Sequence, residues 1–168
     1  TARTPDFDLM VALNAATFNK DVKEVRSGGW LLYDSTWPLA HDGLREDVTY
    51  IGVPLAQMCS VTFKGVRERI LMKNIAYAGA LAALLDIDTD VLVELTKQKY
   101  GKKPALLESN QKAIDLGYNY VKDNLECPLP IRLERLDATK DCILIDGNTA
   151  TALGCLYAGA TVGAWYPI

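Results

Sequence analysis

At 168 residues, 49% of them apolar, the chain can hold one full domain or parts of two and has enough apolar side chains for a core, which excludes a disordered protein. Its formal net charge is −3 and its basic residues are spread along the chain, so the electrostatic footprint of a nucleic-acid or anionic-membrane binder is missing. The longest apolar run, residues 75–85, falls short of the roughly 20 residues that span a bilayer, and no secretory signal pattern precedes the first strand, so a soluble, cytoplasmic protein is expected.

Residues 7–14 (FDLMVALN) form a short apolar run ending in Asn, which suits a buried parallel strand whose carboxyl end turns into a helix. Residues 15–26 (AATFNKDVKEVR) are expected to be that helix. Ser27, Gly28 and Gly29 stop it, because glycine takes the left-handed conformation that a helix end favours. A second strand follows from Trp30 (WLLYDS) and a third over 48–55 (VTYIGVPL), with Pro54 marking its end. Helix-length or loop connections separate these runs, which predicts adjacent strands of one mainly parallel sheet.

From Val66 the pattern turns helical, with Ile70, Lys73, Asn74, Tyr77, Leu81 and Leu84 at helical spacing and Ala or Gly at most positions between Ala76 and Ala83. So many small residues imply close backbone packing, with Gly79 where a neighbouring backbone approaches. Lys73 and Asn74 interrupt the apolar face, and a polar pair there usually satisfies a neighbouring loop or subunit. Asp88 or Thr89 can cap a second helix, DVLVELTKQKY, closed by Gly101; Pro104 opens a third, ALLESNQKAIDLGYNYVKDN. Residues 128–140 carry two prolines and alternating charge and read as a linker. The apolar run CILID then begins a final unit of strand, small-residue helix and strand. The domains expected are 1–127, a linker over 128–140, and 141–168.

Cys59, Cys127, Cys142 and Cys155 are far apart with no CxxC pair, so no zinc or iron–sulfur ligand set is expected, and the thiols read as reduced and mostly buried. His41, the sole histidine, lies in a polar stretch with no Ser or Cys whose context pairs with it for nucleophilic catalysis. A nicotinamide-linked dehydrogenase would need GxGxxG opening the first unit; the Gly28-Gly29 doublet instead lies after a predicted helix.

Asp146-Gly147-Asn148-Thr149-Ala150, followed after a short helix by Tyr166-Pro167-Ile168, resembles the start of the pyrimidine-binding domain of the 2-oxoacid:ferredoxin oxidoreductases, which are thiamine-diphosphate enzymes. The upstream DLMVALN, RSGGWLLYDSTWPL and RERILMKNIAYAGALAALLDI resemble the gamma domain of that family. The order gamma then alpha is similar to the fused subunit of the 2-oxoglutarate type. The resemblance implies an α/β fold: a partial Rossmann-like parallel sheet with helices, its N-terminal strands missing, followed by the truncated start of the pyrimidine-binding α/β domain.

It also implies oxidative decarboxylation of a 2-oxoacid, 2-oxoglutarate first, to an acyl-CoA with electrons passed to ferredoxin. Thiamine diphosphate, Mg, coenzyme A and an iron–sulfur cluster would belong to the whole complex, none held by this chain alone. The implied partners are a beta subunit carrying thiamine diphosphate, ferredoxin and the rest of the alpha subunit, with no nucleic acid and no membrane. Asn148, Thr149, Tyr166, Pro167 and Ile168 would lie near substrate or cofactor, although Asn148 also reads as a plain helix cap. Asn14, at a strand's carboxyl end, could contact coenzyme A or another ligand, or cap the next helix. No residue is assigned a catalytic role or a metal. The alternative reading is a stand-alone Rossmann-like nucleotide-binding or assembly module.

Overall fold

The computed structural model describes residues 6–39, 44–131, 133 and 137–164. The chain divides into two compact units, Thr1–Leu133 and Glu134–Ile168. Among the described residues no helix is long and apolar enough to cross a membrane.

The first unit runs β1 (Phe7–Ala12), α1 (Phe18–Lys23), β2 (Val25–Asp34), β3 (Thr49–Val53), α2 (Leu55–Thr62), α3 (Val66–Leu84), α4 (Thr89–Tyr100) and α5 (Pro104–Asn124). Its sheet has the order β1-β2-β3 with both pairs parallel, as the spacing of the apolar runs predicts. Side chains alternate across a strand, and here both faces are covered: Leu31 and Leu32 are each fully buried on opposite sides. Leu31 packs with Val22, Val25 and Val48 beneath Phe18 and Tyr50. Leu32 packs with Ile51, Val53 and Leu55 against Ala76, Ala80 and Val121 of the helical layer. Parallel strands read as continuous apolar runs because both faces lose their water.

The first helix is shorter than its sequence suggests. Residues 14–17 form a turn instead, in which the Ala16 N–H donates to Asn14 Oδ1 (3.0 Å) and Thr17 Oγ1 donates to the Asn14 carbonyl (3.2 Å). β2 then starts at Val25, five residues before Trp30, because Val25 pairs with Phe7 and is buried. Ser27, Gly28 and Gly29 therefore lie inside a strand and do not end a helix. Between the Phe7–Val25 and Leu9–Trp30 pairs the register shifts, and Gly28 takes a φ of +74° in this bulge. A Cβ on Gly29 would meet the Val25 side chain at 2.7 Å and the Asp8 carbonyl at 2.9 Å.

α2 is a helix where the sequence reading placed none. Its N-cap, Pro54, offers no side-chain hydrogen bond. The first turn is satisfied from the end of β2: the Ala56 N–H donates to both Asp34 carboxylate oxygens (3.3 and 3.2 Å), and the Gln57 N–H donates to Thr36 Oγ1 (3.0 Å). α3 and α5 cross closely, since a Cβ on Gly79 would overlap the Ile114 carbonyl and one on Gly117 the Ala76 carbonyl. Asp88 caps α4 by accepting the Asp90 N–H (2.9 Å), Gly101 closes that helix, and Pro104 opens α5. Of the four thiols only Cys59 is buried; Cys127 is half-buried and Cys142 and Cys155 are exposed, contrary to the expectation of mostly buried cysteines.

In the second unit the described residues form one helix, α6 (Gly147–Tyr157). The run CILID is not a strand. Among the described residues no strand lies beside it to accept its backbone groups, and Ile143 and Leu144 stand 77% and 104% exposed.

Candidate functional site

β1 and β2 end side by side, with Ala12 opposite Tyr33 in the register, and α3 presents Lys73 and Tyr77, one turn apart, to those ends. Tyr77 is buried, and its Oη donates to the Ala12 carbonyl (3.2 Å), which fixes where β1 stops relative to α3. Burial pushes the Tyr77 hydroxyl well above the usual tyrosine range, with the Asp34 carboxylate adding to the shift, so it stays a neutral donor.

Asp34 closes β2 and is the hub of the site. Its side chain is 7% exposed and holds three groups: the Thr36 N–H (3.1 Å), the Ala56 N–H that opens α2, and Lys73 Nζ at 3.5 Å. A carboxylate this far out of water is tolerable because two backbone N–H groups and a cation reach it. Lys73 is 25% exposed, so its ammonium is held by Asp34 yet reaches open space.

That space is a cleft of about 390 Å³ whose lining includes Asn14, Phe18, Asn19, Tyr33, Trp37 and Lys73. It lies beyond the carboxyl ends of two parallel strands, where α/β folds bind ligands, because strand ends and the loops after them converge there. Two amide side chains, one cation and three aromatic rings can bind a ligand that is part polar and part apolar. Desolvation raises the Tyr33 hydroxyl above its ordinary value, so it too remains protonated. Cys59 contributes no nucleophile: burial, with Asp34 nearby, pushes its thiol up to about 11, and thiolate is what reacts.

Asn14 lines this cleft, with its Oδ1 engaged by the Ala16 N–H and its amide N–H groups left for other acceptors. Asn148 and Thr149 lie in the first turn of α6. Asn148 is not the cap: Asp146 is, accepting the Thr149 N–H (2.9 Å) and Oγ1 (2.6 Å), which holds its carboxyl below the ordinary aspartate value. Asp146 wins because it stands one residue outside the helix in extended backbone, where a short acidic side chain reaches the N3 N–H. Tyr166, Pro167, Ile168 and His41 lie outside the described residues. Asp34 and Trp37 were not singled out from sequence; the signal was a carboxylate at the carboxyl end of an apolar strand, followed by an aromatic residue. Lys73 was visible as an interruption of an apolar helix, but its partner was not.

The fold and cleft define an α/β unit with a candidate ligand cleft at its strand ends. The sequence profile of the pyruvate ferredoxin/flavodoxin oxidoreductase family matches residues 1–120, and the chain belongs to that family. Two curated relatives are the ketoisovalerate oxidoreductase subunits VorA of Methanothermobacter marburgensis and Methanothermobacter thermautotrophicus, 24% and 25% identical over 119 residues; each match takes in 71% of this chain and 24% of the relative. Among solved structures, the 2-oxoglutarate:ferredoxin oxidoreductase from Magnetococcus marinus, with 2-oxoglutarate, coenzyme A and succinyl-CoA bound, is similar at a TM-score of 0.75 and 27% identity, over 91% of this chain and 26% of that one. The chain spans about a quarter of the length of these proteins.

Proposed function

We propose that this chain is part of a 2-oxoacid:ferredoxin oxidoreductase in which a gamma-type unit, residues 1–127, continues through a linker over 128–140 into the start of the pyrimidine-binding alpha domain. The observation that carries the reading is the reach of the likeness. The family profile covers residues 1–120, and the similarity to one oxidoreductase chain covers 91% of the sequence, which extends past the first unit's end at Leu133. A likeness that reaches into both parts supports reading them as consecutive pieces of one subunit.

In this reading the 2-oxoacid loses its carboxylate as carbon dioxide. The remaining acyl carbon bonds to the sulfur of coenzyme A, the thiol releases its proton, and two electrons leave singly to ferredoxin. Thiamine diphosphate with Mg, when bound by the assembled enzyme, supplies the electron sink for decarboxylation. In this reading the beta subunit carries it. Coenzyme A fits this chain. The cleft offers Asn14 and Asn19 amides for its polar arm, Trp37 and Tyr33 faces for its ring, and the Lys73 ammonium for a phosphate. Asn148, Thr149, Tyr166, Pro167 and Ile168 belong, in the same reading, to the segment nearest substrate and thiamine. A cytoplasmic location goes with ferredoxin as acceptor.

2-Oxoglutarate is placed first as substrate on the likeness to the Magnetococcus enzyme, ahead of the branched 2-oxoacid that the VorA names carry. The test is to produce the full subunit with its beta partner anaerobically and to follow reduction of ferredoxin with 2-oxoglutarate, 2-oxoisovalerate or pyruvate, with and without coenzyme A. Coenzyme A-dependent reduction with one of them is expected. Reduction of a nicotinamide cofactor in its place would overturn the reading.

A further inference from the structure

Lys73 stands in a helix that buries Met72, Ala76 and Tyr77 around it, and its ion-pair partner is a carboxylate only 7% exposed. A pair so far out of water is stable when it closes on itself with short hydrogen bonds, roughly 2.7–2.9 Å between nitrogen and oxygen. This one stays open, with Nζ 3.5 Å from Asp34 Oδ2. The reason lies in what else Asp34 holds. Its two oxygens accept the Ala56 N–H (3.3 and 3.2 Å), and Oδ1 also accepts the Thr36 N–H (3.1 Å). Ala56 lies in the first turn of α2, the positive end of that helix, so the charge of the carboxylate is met largely by backbone groups.

The consequence falls on Lys73. An ammonium carries three N–H donors, and a carboxylate at this distance satisfies them poorly. Lys73 is therefore anchored by charge and still has donors to give. The anchor is fixed at both ends: Asp34 pairs with Val53 in the sheet, and Tyr77, one turn along α3 from Lys73, donates to the Ala12 carbonyl at the end of β1 (3.2 Å). Among the described residues that line the cleft, Lys73 is the one cation and Asp34 the one carboxylate. An anionic oxygen seated against Lys73 gains a charge-assisted hydrogen bond from a donor already held in place, whereas an unheld lysine gives up its rotamer freedom on binding.

We infer that Asp34 is a positioning residue for the ligand of the cleft: through the ion pair it holds the Lys73 ammonium where Lys73 takes a phosphate oxygen of coenzyme A. This rests on the oxidoreductase reading above and on its assignment of coenzyme A to the cleft. In the assembled enzyme, Lys73→Gln should raise the KM for coenzyme A about tenfold and leave the KM for the 2-oxoacid unchanged, and Lys73→Arg should recover much of the loss. Asp34→Asn removes the charge that holds the ammonium but keeps an acceptor for the Ala56 N–H. It should raise the same KM roughly threefold with little change in kcat. The double variant decides the role. If Asp34 acts through Lys73, Asp34→Asn adds nothing to the KM of Lys73→Gln, whereas a residue that only supports α2 multiplies the two effects. Multiplied effects, an unchanged coenzyme A KM in either single variant, or a change that falls on the 2-oxoacid KM in its place would each overturn the inference. Should Asp34→Asn and Asp34→Ser both fail to assemble, Asp34 is a structural cap and the inference falls. A wild-type complex whose ferredoxin reduction is independent of coenzyme A sinks the reading of the cleft and this inference together; coenzyme A dependence in the wild type with multiplied effects in the double variant sinks the inference alone.

Discussion

Arg45 reaches three places at once. Its Nη1 donates to the Val22 and Val25 carbonyls (3.2 and 2.6 Å), while Nε and Nη2 donate to the two Asp47 oxygens (3.0 and 2.6 Å), so one guanidinium pins the β2–β3 connection to the start of β2. The planar fork of arginine makes such multiple hydrogen bonding possible. Its hydrogen bonds, with one from Ser27, hold the Asp47 carboxyl at about 2 against an ordinary 3.8. A folded-state value below the unfolded one means that the charged form is favoured by folding. The contribution is therefore complete above pH 3.8 and is lost as pH falls through about 2. Asp47→Asn should lose less stability than the wild type between those two values, which a circular-dichroism acid titration of both proteins would detect. Parallel acid limbs would show that water screens the pair fully.

At the scale of elements, the α3–α5 crossing depends on two glycines set against backbone. The small-residue run from Ala76 to Ala83 made close packing legible, because only a face without long side chains lets two helix axes approach. What sequence could not show was the partner. Gly79 meets α5 at Ile114, and Gly117 of α5 meets α3 at Ala76. Gly79→Leu should destabilise the unit by roughly 1–3 kcal/mol, because its side chain has no path except through a carbonyl; urea denaturation reads this, and an unchanged midpoint would mean that the helices part freely. α2 shows the opposite case. Its residues LAQMCSVT carry no local capping signal, and the groups that satisfy its first turn come from Asp34 and Thr36, some 20 residues back in sequence. A helix capped by tertiary contact leaves no mark in its own segment.

Across the whole molecule, burial is uneven. α3 contributes eight buried residues and α5 five, whereas α4 contributes none. Helices without a buried face open first, so within the first unit of the assembled protein amide exchange should be faster along α4 than through residues 76–84 of α3 and the centre of α5. Equal protection of α4 and α3 would mean that a partner covers α4 in the assembly. By itself the sequence determined the parallel α/β class, the strand cores, and the long helices with their caps at Asp88, Gly101 and Pro104. Each of these follows from periodicity or from a short-range backbone preference, which neighbours in the chain are enough to express. Only the tertiary structure decided that Val25 begins a strand, that Gly28 and Gly29 form a bulge, that α2 is a helix, that the CILID run forms no strand among the described residues, and that Asp34 and Lys73 meet at one cleft. Those outcomes depend on groups far apart in sequence competing for the same hydrogen bonds and the same buried space, and that competition is settled only when the strands and helices are in place.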